Sequence, residues 1–347
     1  MNPEIISSTL VAASKAFETA MRKLNPFVLA AIRQELLIHL EALAAARLFL
    51  AGADSDTMDK NAQTRLLRAT DFLINAINSF GSEEDLQASF ISALRAGRKY
   101  CRAQEELFAL CGYFPEINRH FLEAEVNIAP PSNNFQNAQT GIFHIGANHG
   151  LHARGGYSLF IPDNYTPERA WPLIVALHGG YSHGNDFIWS WLREARSRGY
   201  ILFAPTSTAM TWSITDVEQD AKLIALHLVE VYLRVNIDRS RILLTGMSDG
   251  GTYALSLALS QGSIYRSIAP VACALAPVDF REARGKRICW IHGAQDWIFT
   301  AARAAYSCKE LKQAGADIQL KILPDLAHTY PREEDDTILR WFESANG

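Results

Sequence analysis

Hydrophobic positions change their period part-way along the chain. Up to about Leu122 they recur at helical spacing. Leu29, Ile32, Leu36, Leu40 and Leu43 form one apolar stripe, with Arg33, Glu41 and Arg47 on the other face. Asn25-Pro26 before the stripe reads as an N-cap followed by proline at the first helical position, and Gly52 follows its end. A second helix is expected from Thr57 to Phe80. Ser82-Glu83-Glu84-Asp85 resembles a capping box opening a third, which ends near Cys111-Gly112. With a first helix from Ile5 to Leu24, these segments predict a bundle of about four helices. No motif in it has chemistry attached.

The stretch from Asn127 to Gly141 is rich in Pro, Asn and Gln and reads as a linker or surface loop. After it, short apolar runs alternate with helical stretches. The runs are Tyr157–Ile161, Leu173–Leu177, Ile201–Ala204, Ile242–Thr245, Ile268–Ala274, Ile288–Ile291 and Ile318–Leu323. Candidate helices are Asp216–Val235, Gly251–Ser260 and Ala301–Ala314. Runs this short and apolar suit strands covered on both faces by crossover helices. The expectation is a three-layer α/β domain with a mostly parallel sheet over 141–347, a linker over 127–140, and an all-α domain over 1–126.

Composition narrows the function classes. The 347 residues carry a net charge of −4, which points to no nucleic-acid or anionic-membrane partner. The start lacks a basic region followed by a long apolar run, so it does not read as a secretory signal. The most apolar stretch, Phe27 to Leu50, is interrupted by charges, so no transmembrane segment is expected. The cysteines Cys101, Cys111, Cys273, Cys289 and Cys308 are odd in number, scattered and without a Cys-x-x-Cys pair. A reduced, cytoplasmic protein without disulfides or a zinc motif follows as the expectation.

Ligands of such sheets bind beyond the carboxyl ends of the strands. Ser248 follows the Ile242–Thr245 run in LLTGMSDGG, and a helix opens just after it. Gly-x-Ser-x-Gly alone is common, arising by chance in roughly one chain in ten of this length. A strand–turn–helix context is what a nucleophile elbow requires. A serine hydroxyl needs a base, and the base needs an orienting group. His328 follows the final run in LPDLAHTYP, and Asp296 follows the preceding run in CWIHGAQDW. Asp296 by itself would also suit a helix N-cap. The order Ser248, Asp296, His328 is that of an α/β-hydrolase. Asp279 is the runner-up acid; Asp325 sits on the same loop as His328 and is poorly placed beneath its ring. For the oxyanion, the backbone N–H of Asp249 is one expected donor, and the loop after Leu177 supplies Gly180, then Tyr181.

Together WPLIVALHGG, RILLTGMSDGG, WIHGAQDW and LPDLAHTYP resemble the α/β-hydrolase superfamily. Within it they look most like phospholipase/carboxylesterases and polyhydroxybutyrate-depolymerase-like and feruloyl-esterase-like enzymes. The resemblance covers roughly residues 140 to 345. It implies a serine carboxylesterase that needs no cofactor or metal, with Ser248 as nucleophile, His328 as base and Asp296 as acid. Two features depart from the pattern. Asp249 sets a carboxylate beside the nucleophile and is expected to point away or be paired. The helical half lies outside the resemblance.

Only APVDFREARGKR joins the Ile268–Ala274 and Ile288–Ile291 runs, so no lid is inserted there. A cover over the site would come from the N-terminal helices or from a loop over His183–Trp191; equally, the helices would form a homo-oligomer interface or stabilise the chain. Tyr181, Trp212, Trp297 and Tyr330 are the expected substrate-binding aromatics, suiting a small-molecule ester with an apolar acyl or aryl group. His144, His149 and His152 form a loose cluster that reads as surface histidines rather than a metal site. A thioesterase or amidase/peptidase with the same residues, and a non-catalytic hydrolase-fold binding protein, are the alternatives.

Overall fold

The computed structural model describes residues 2–52, 58–128, 139–146 and 153–344. Contacts divide the chain into two compact units, Met1–Asn137 and Ala138–Gly347. The expected linker falls largely on 129–138, outside the described residues, as do His149 and His152.

In the first unit, α1 (Pro3–Arg22) starts at Asn2, whose side chain accepts from the Ile5 N–H. It buries Ile6, Leu10, Val11 and Phe17. The single helix expected after Asn25-Pro26 is instead three pieces: a 3-10 turn at Pro26–Val28, α2 (Leu29–Leu37) and α3 (Leu40–Gly52). The stripe continues through Leu43, Ala46 and Leu50, but a break at Ile38 and His39 redirects the chain and leaves Ile38 exposed. α4 (Lys60–Ser79) is capped by Asp59. α5 (Leu86–Phe108) is capped by Asp85, which accepts from Ala88 N–H at 2.8 Å; Ser82, the expected cap, lies a turn too early. The acceptor adjoining the first free N–H groups is the one that caps. α6 (Pro115–His120) follows. No described helix is long and apolar enough to cross a membrane.

The second unit contains β1 (Gly141–Ile145), β2 (Tyr157–Ile161), β3 (Trp171–Leu177), α7 (Gly184–Arg198), β4 (Ile201–Pro205), α8 (Val217–Arg234), β5 (Ile237–Met247), α9 (Asp249–Ala258), β6 (Ser267–Val271), β7 (Arg287–Gly293), α10 (Ala301–Gln313), β8 (Asp317–Leu323) and α11 (Asp335–Glu343). The eight strands form one sheet in the order β1-β2-β4-β3-β5-β6-β7-β8. β1 and β2 pair antiparallel, as do β2 and β4; the other pairs are parallel. Parallel neighbours need crossovers, and helices on the faces bury the sheet. Such helices cover β3 and β4, and α7 packs on antiparallel β2 as well, so all three strands are buried at every position.

The expected strands all form. The presumed loop His183–Trp191 is a correction: it is the start of α7, packed on β2, β3 and β4, and Phe187, Ile188, Trp189 and Trp191 are buried. Its side chains fill the core face of the sheet rather than arch over a site.

Candidate active site

Glycines set how closely the central loops approach. A Cβ on Gly250 would lie 2.3 Å from the carbonyl oxygens of both Leu177 and His178, and one on Gly246 would lie 2.5 Å from Gly250 O. Only hydrogen fits there, so α9 can begin directly against the end of β3. The turn between β5 and α9 puts Ser248 at φ 56°, ψ −122°. A non-glycine residue there stores on the order of 1–3 kcal/mol of strain. Surrounding bonds hold it: Ser248 N–H donates to Val271 O, and Ser248 O accepts from Thr252 N–H, each at 2.9 Å.

The loops after β7 and β8 are laced together. Ala294 N–H donates to Leu323 O and Gln295 N–H to Leu326 O, both at 2.9 Å. A Cβ on Gly293 would lie 2.2 Å from Leu326 O. This contact brings Asp296 and His328 together. His328 Nδ1 lies 2.9 Å from Asp296 Oδ2, and His328 Nε2 lies 2.9 Å from Ser248 Oγ. A carboxylate only accepts, so Nδ1 carries the proton and Nε2 offers its lone pair to the serine hydroxyl.

Asp296 is buried, and Oδ1 accepts from Ile298 N–H at 2.9 Å and Phe299 N–H at 2.8 Å. Burial pushes its carboxyl up. The hydrogen bond and charge of His328, with those two N–H groups, outweigh burial and hold the carboxyl below its usual range. His292, not singled out in the sequence, is buried behind it. It donates from Nε2 to Phe299 O at 2.7 Å and lies 3.6 Å from Asp296 Oδ2. Burial pulls the His292 imidazole below its usual value, so it stays neutral. Asp279 is bonded to Arg281 on the surface instead, and Asp325 is exposed.

The loop after β3 passes alongside Ser248: a Cβ on Gly179 would lie 3.6 Å from Ser248 Cβ. Among the described residues, the N–H groups of Gly180 and Asp249 donate no hydrogen bond within the chain. Tyr181 is a correction. Its N–H donates to Met210 O at 2.8 Å, so this donor is already committed. Asp249 is paired: its Oδ2 accepts from the Thr211 hydroxyl at 2.6 Å. His178 is fully buried under the loop. Ser207 N–H donates to its Nε2 at 3.1 Å, so the other nitrogen, Nδ1, donates to Gly179 O at 2.7 Å. The two ends of a trans peptide point opposite ways, so this bond orients the Gly180 N–H as well.

The four aromatics expected to meet substrate separate. Tyr181 is exposed, and Trp297 lies part-exposed with its ring edge-on to His328, centroids 6.2 Å apart. Trp212 is a correction: it is buried, stacks on Tyr253 and donates from Nε1 to His178 O at 2.7 Å. It props the loop from within. Tyr330 is another correction, because its hydroxyl donates to Asp335 at 2.6 Å and its ring packs edge-on against Phe187 and Trp191. His144 bonds to the Ser158 hydroxyl, and no metal-ligand group of three is found among the described residues.

A central parallel sheet, an elbow after β5, and an acid and a histidine after β7 and β8 decide the architecture. The fold is that of an α/β hydrolase. The model of the phospholipase/carboxylesterase family matches residues 213–343. That span includes the elbow and both loops. No curated protein matches the chain. Among solved structures it is similar to a thermostable esterase at 19% identity and TM-score 0.48, covering 55% of this chain and 58% of that one. It is also similar to a carboxylesterase from Mesorhizobium loti at 18% identity and TM-score 0.46, covering 56% and 97%. The Bacillus cereus carboxylesterase is similar at 16% identity and TM-score 0.46, covering 55% and 93%. The chain thus spans little more than half the length of the first of these.

Proposed function

We propose that this α/β hydrolase is a serine carboxylesterase working through an acyl-enzyme. The observation that carries the reading is the unbroken hydrogen-bonded path Ser248–His328–Asp296, with both links at 2.9 Å. Ser248 Oγ attacks the ester carbonyl carbon as its proton passes to His328 Nε2. The tetrahedral oxyanion is met by the N–H groups of Gly180 and Asp249. Collapse breaks the ester C–O bond, and the leaving alcohol takes the proton from Nε2. Water, deprotonated by the same nitrogen, then attacks the acyl-serine; the acyl–Oγ bond breaks, Ser248 Oγ takes the proton back from Nε2, and the acid is released. Asp296, held below its usual carboxylate range, stays ionised and stabilises the imidazolium.

The reaction needs no metal or cofactor. Exposed apolar side chains support an apolar acyl or aryl group: Trp297 and Ile298 adjoin Asp296, and Tyr181 and Met210 share a backbone hydrogen bond on the oxyanion side. A reducing, cytoplasmic setting belongs to the same reading. What supports it is the odd, scattered set of five cysteines, all of them free.

Hydrolysis of p-nitrophenyl esters from acetate to palmitate, wild type beside Ser248→Ala, tests the reading. Turnover by the wild type alone is the expected result, and the preferred chain length measures the acyl site. Equal turnover by folded Ser248→Ala removes the serine from the chemistry.

A further inference from the structure

Two loops meet beside Ser248: 178–183 after β3, and 206–213 after β4. The second is fixed to its surroundings along its length. Ser207 N–H donates to His178 Nε2, Thr208 N–H and Oγ1 and Ser213 N–H donate to Asp220 at 2.9 Å each, and Thr211 holds Asp249. The first loop contains Tyr181 at φ 59°, a left-handed conformation that a side chain disfavours. Such a turn persists where its neighbours hold it.

One side chain from a third segment joins the two loops. Arg154 Nη1 donates to Ser182 O at 2.7 Å and lies 3.4 Å from Ser207 Oγ; its Nη2 donates to Met210 O at 3.3 Å. The Met210 carbonyl is the same one that accepts the Tyr181 N–H. The segment carrying Arg154 is itself anchored. His183 Nε2 donates to Ala153 O at 2.7 Å, Gly155 N–H donates to Ser207 O at 3.3 Å, and His227 Nε2 donates to Gly155 O at 2.8 Å.

We propose that Arg154 is a positioning residue for acyl transfer: its guanidinium clamps the Ser182 and Met210 carbonyls and so fixes the Gly180 N–H as the oxyanion donor. This rests on the serine-esterase reading. The planar fork suits the task, because it presents two N–H groups to two separate carbonyls in fixed geometry. Lysine brings the same charge without the fork. Arg154 does not touch the reacting atoms. Its effect passes through Met210 O to Tyr181 N–H, and through Ser182 O to the turn itself. An oxyanion donor contributes mainly in the transition state, so loosening it lowers kcat and leaves ground-state binding alone.

The test compares wild type, Arg154→Met and Arg154→Lys for kcat and KM with p-nitrophenyl butyrate, and for inhibition by butylboronic acid, whose serine adduct is tetrahedral. A fluorophosphonate titration counts reactive sites in each preparation, so that kcat is expressed per competent serine. Arg154→Met is expected to lose about 10- to 100-fold in kcat with KM within about 3-fold, and to weaken the boronate in parallel. Arg154→Lys is expected to recover part of both. The proposal is overturned by an unchanged kcat per titrated site and unchanged boronate affinity, or by a raised KM with kcat intact. Should Arg154→Met not fold, Arg154→Lys carries the same comparison. Ser248→Ala run alongside keeps the two claims apart: a wild type no faster than Ser248→Ala removes the esterase reading and this inference with it. An active wild type with unaffected Arg154 variants removes only the inference.

Discussion

Thr211 donates its hydroxyl to Asp249 at 2.6 Å, which anchors the carboxylate next to Ser248 to the loop that follows β4. The same carboxylate oxygen is where a Cβ on Gly180 would collide, at 2.6 Å. An unanchored aspartate would swing aside. This one is held, so the loop after β3 has to yield instead.

Gly180→Ala is therefore expected to lower kcat by about 10- to 100-fold with little change in KM, the scale of a displaced oxyanion donor. Removing the obstacle restores room: Gly180→Ala combined with Asp249→Ala is expected to be faster than Gly180→Ala alone. Steady-state kinetics of the two singles and the double complete the cycle. If the double is the slowest of the three, the clash is not the cause.

Asp296→Asn keeps an acceptor for the Ile298 and Phe299 N–H groups but turns an amide NH2 toward His328 Nδ1. The imidazole then places its proton on Nε2 and loses the lone pair that faces Ser248. The expected fall in kcat is on the order of 10³- to 10⁴-fold. Retention of more than about a tenth of wild-type kcat means that another group orients the ring.

Gly250→Ala forces a Cβ against two backbone carbonyls that have no rotamer to escape into. The expected cost is about 2 kcal/mol or more, a fall of roughly 4–8 °C in the unfolding midpoint of the second unit. Calorimetry reads it directly. A midpoint within a degree or so of wild type contradicts the packing described for the β3–α9 contact.

Asp335 is fully buried beside α7. Burial, reinforced by the charge of Glu194, holds its carboxyl well above the usual range, against the lowering effects of the Tyr330 hydroxyl, Arg332 and Arg193. Above an ordinary aspartate value of about 4, the folded chain keeps a proton that the unfolded chain has released, so stability falls as pH rises toward the folded value. Asp335→Asn removes that dependence. Its stability relative to wild type is expected to rise between about pH 5 and pH 8, by at most about 1.4 kcal/mol per pH unit. Denaturant melts across that range decide it; a constant difference means the folded carboxylate is already ionised.

Local pattern carried the layout of the second unit. Runs such as Leu173–Leu177 and Ile242–Thr245 are short and wholly apolar because both faces of the central sheet are covered, and that constraint is written residue by residue. The Ser248–Asp296–His328 order was legible for the same reason: each sits just past an apolar run. Elements without a clean period were not. β1 is an antiparallel edge strand only partly buried, and α7 is buried on so much of its surface, Glu194 and Arg196 included, that no polar face marks it. Tertiary structure alone decided which groups around Ser248 are free and which are engaged. Tyr181 N–H goes to Met210, Trp212 to His178 and Tyr330 to Asp335, while Arg154 bridges loops that follow two different strands. A sequence states which donors and acceptors exist. Which of them meet depends on how closely strands and loops distant in sequence pack, and here hydrogen-only contacts at Gly246, Gly250 and Gly293 set that closeness.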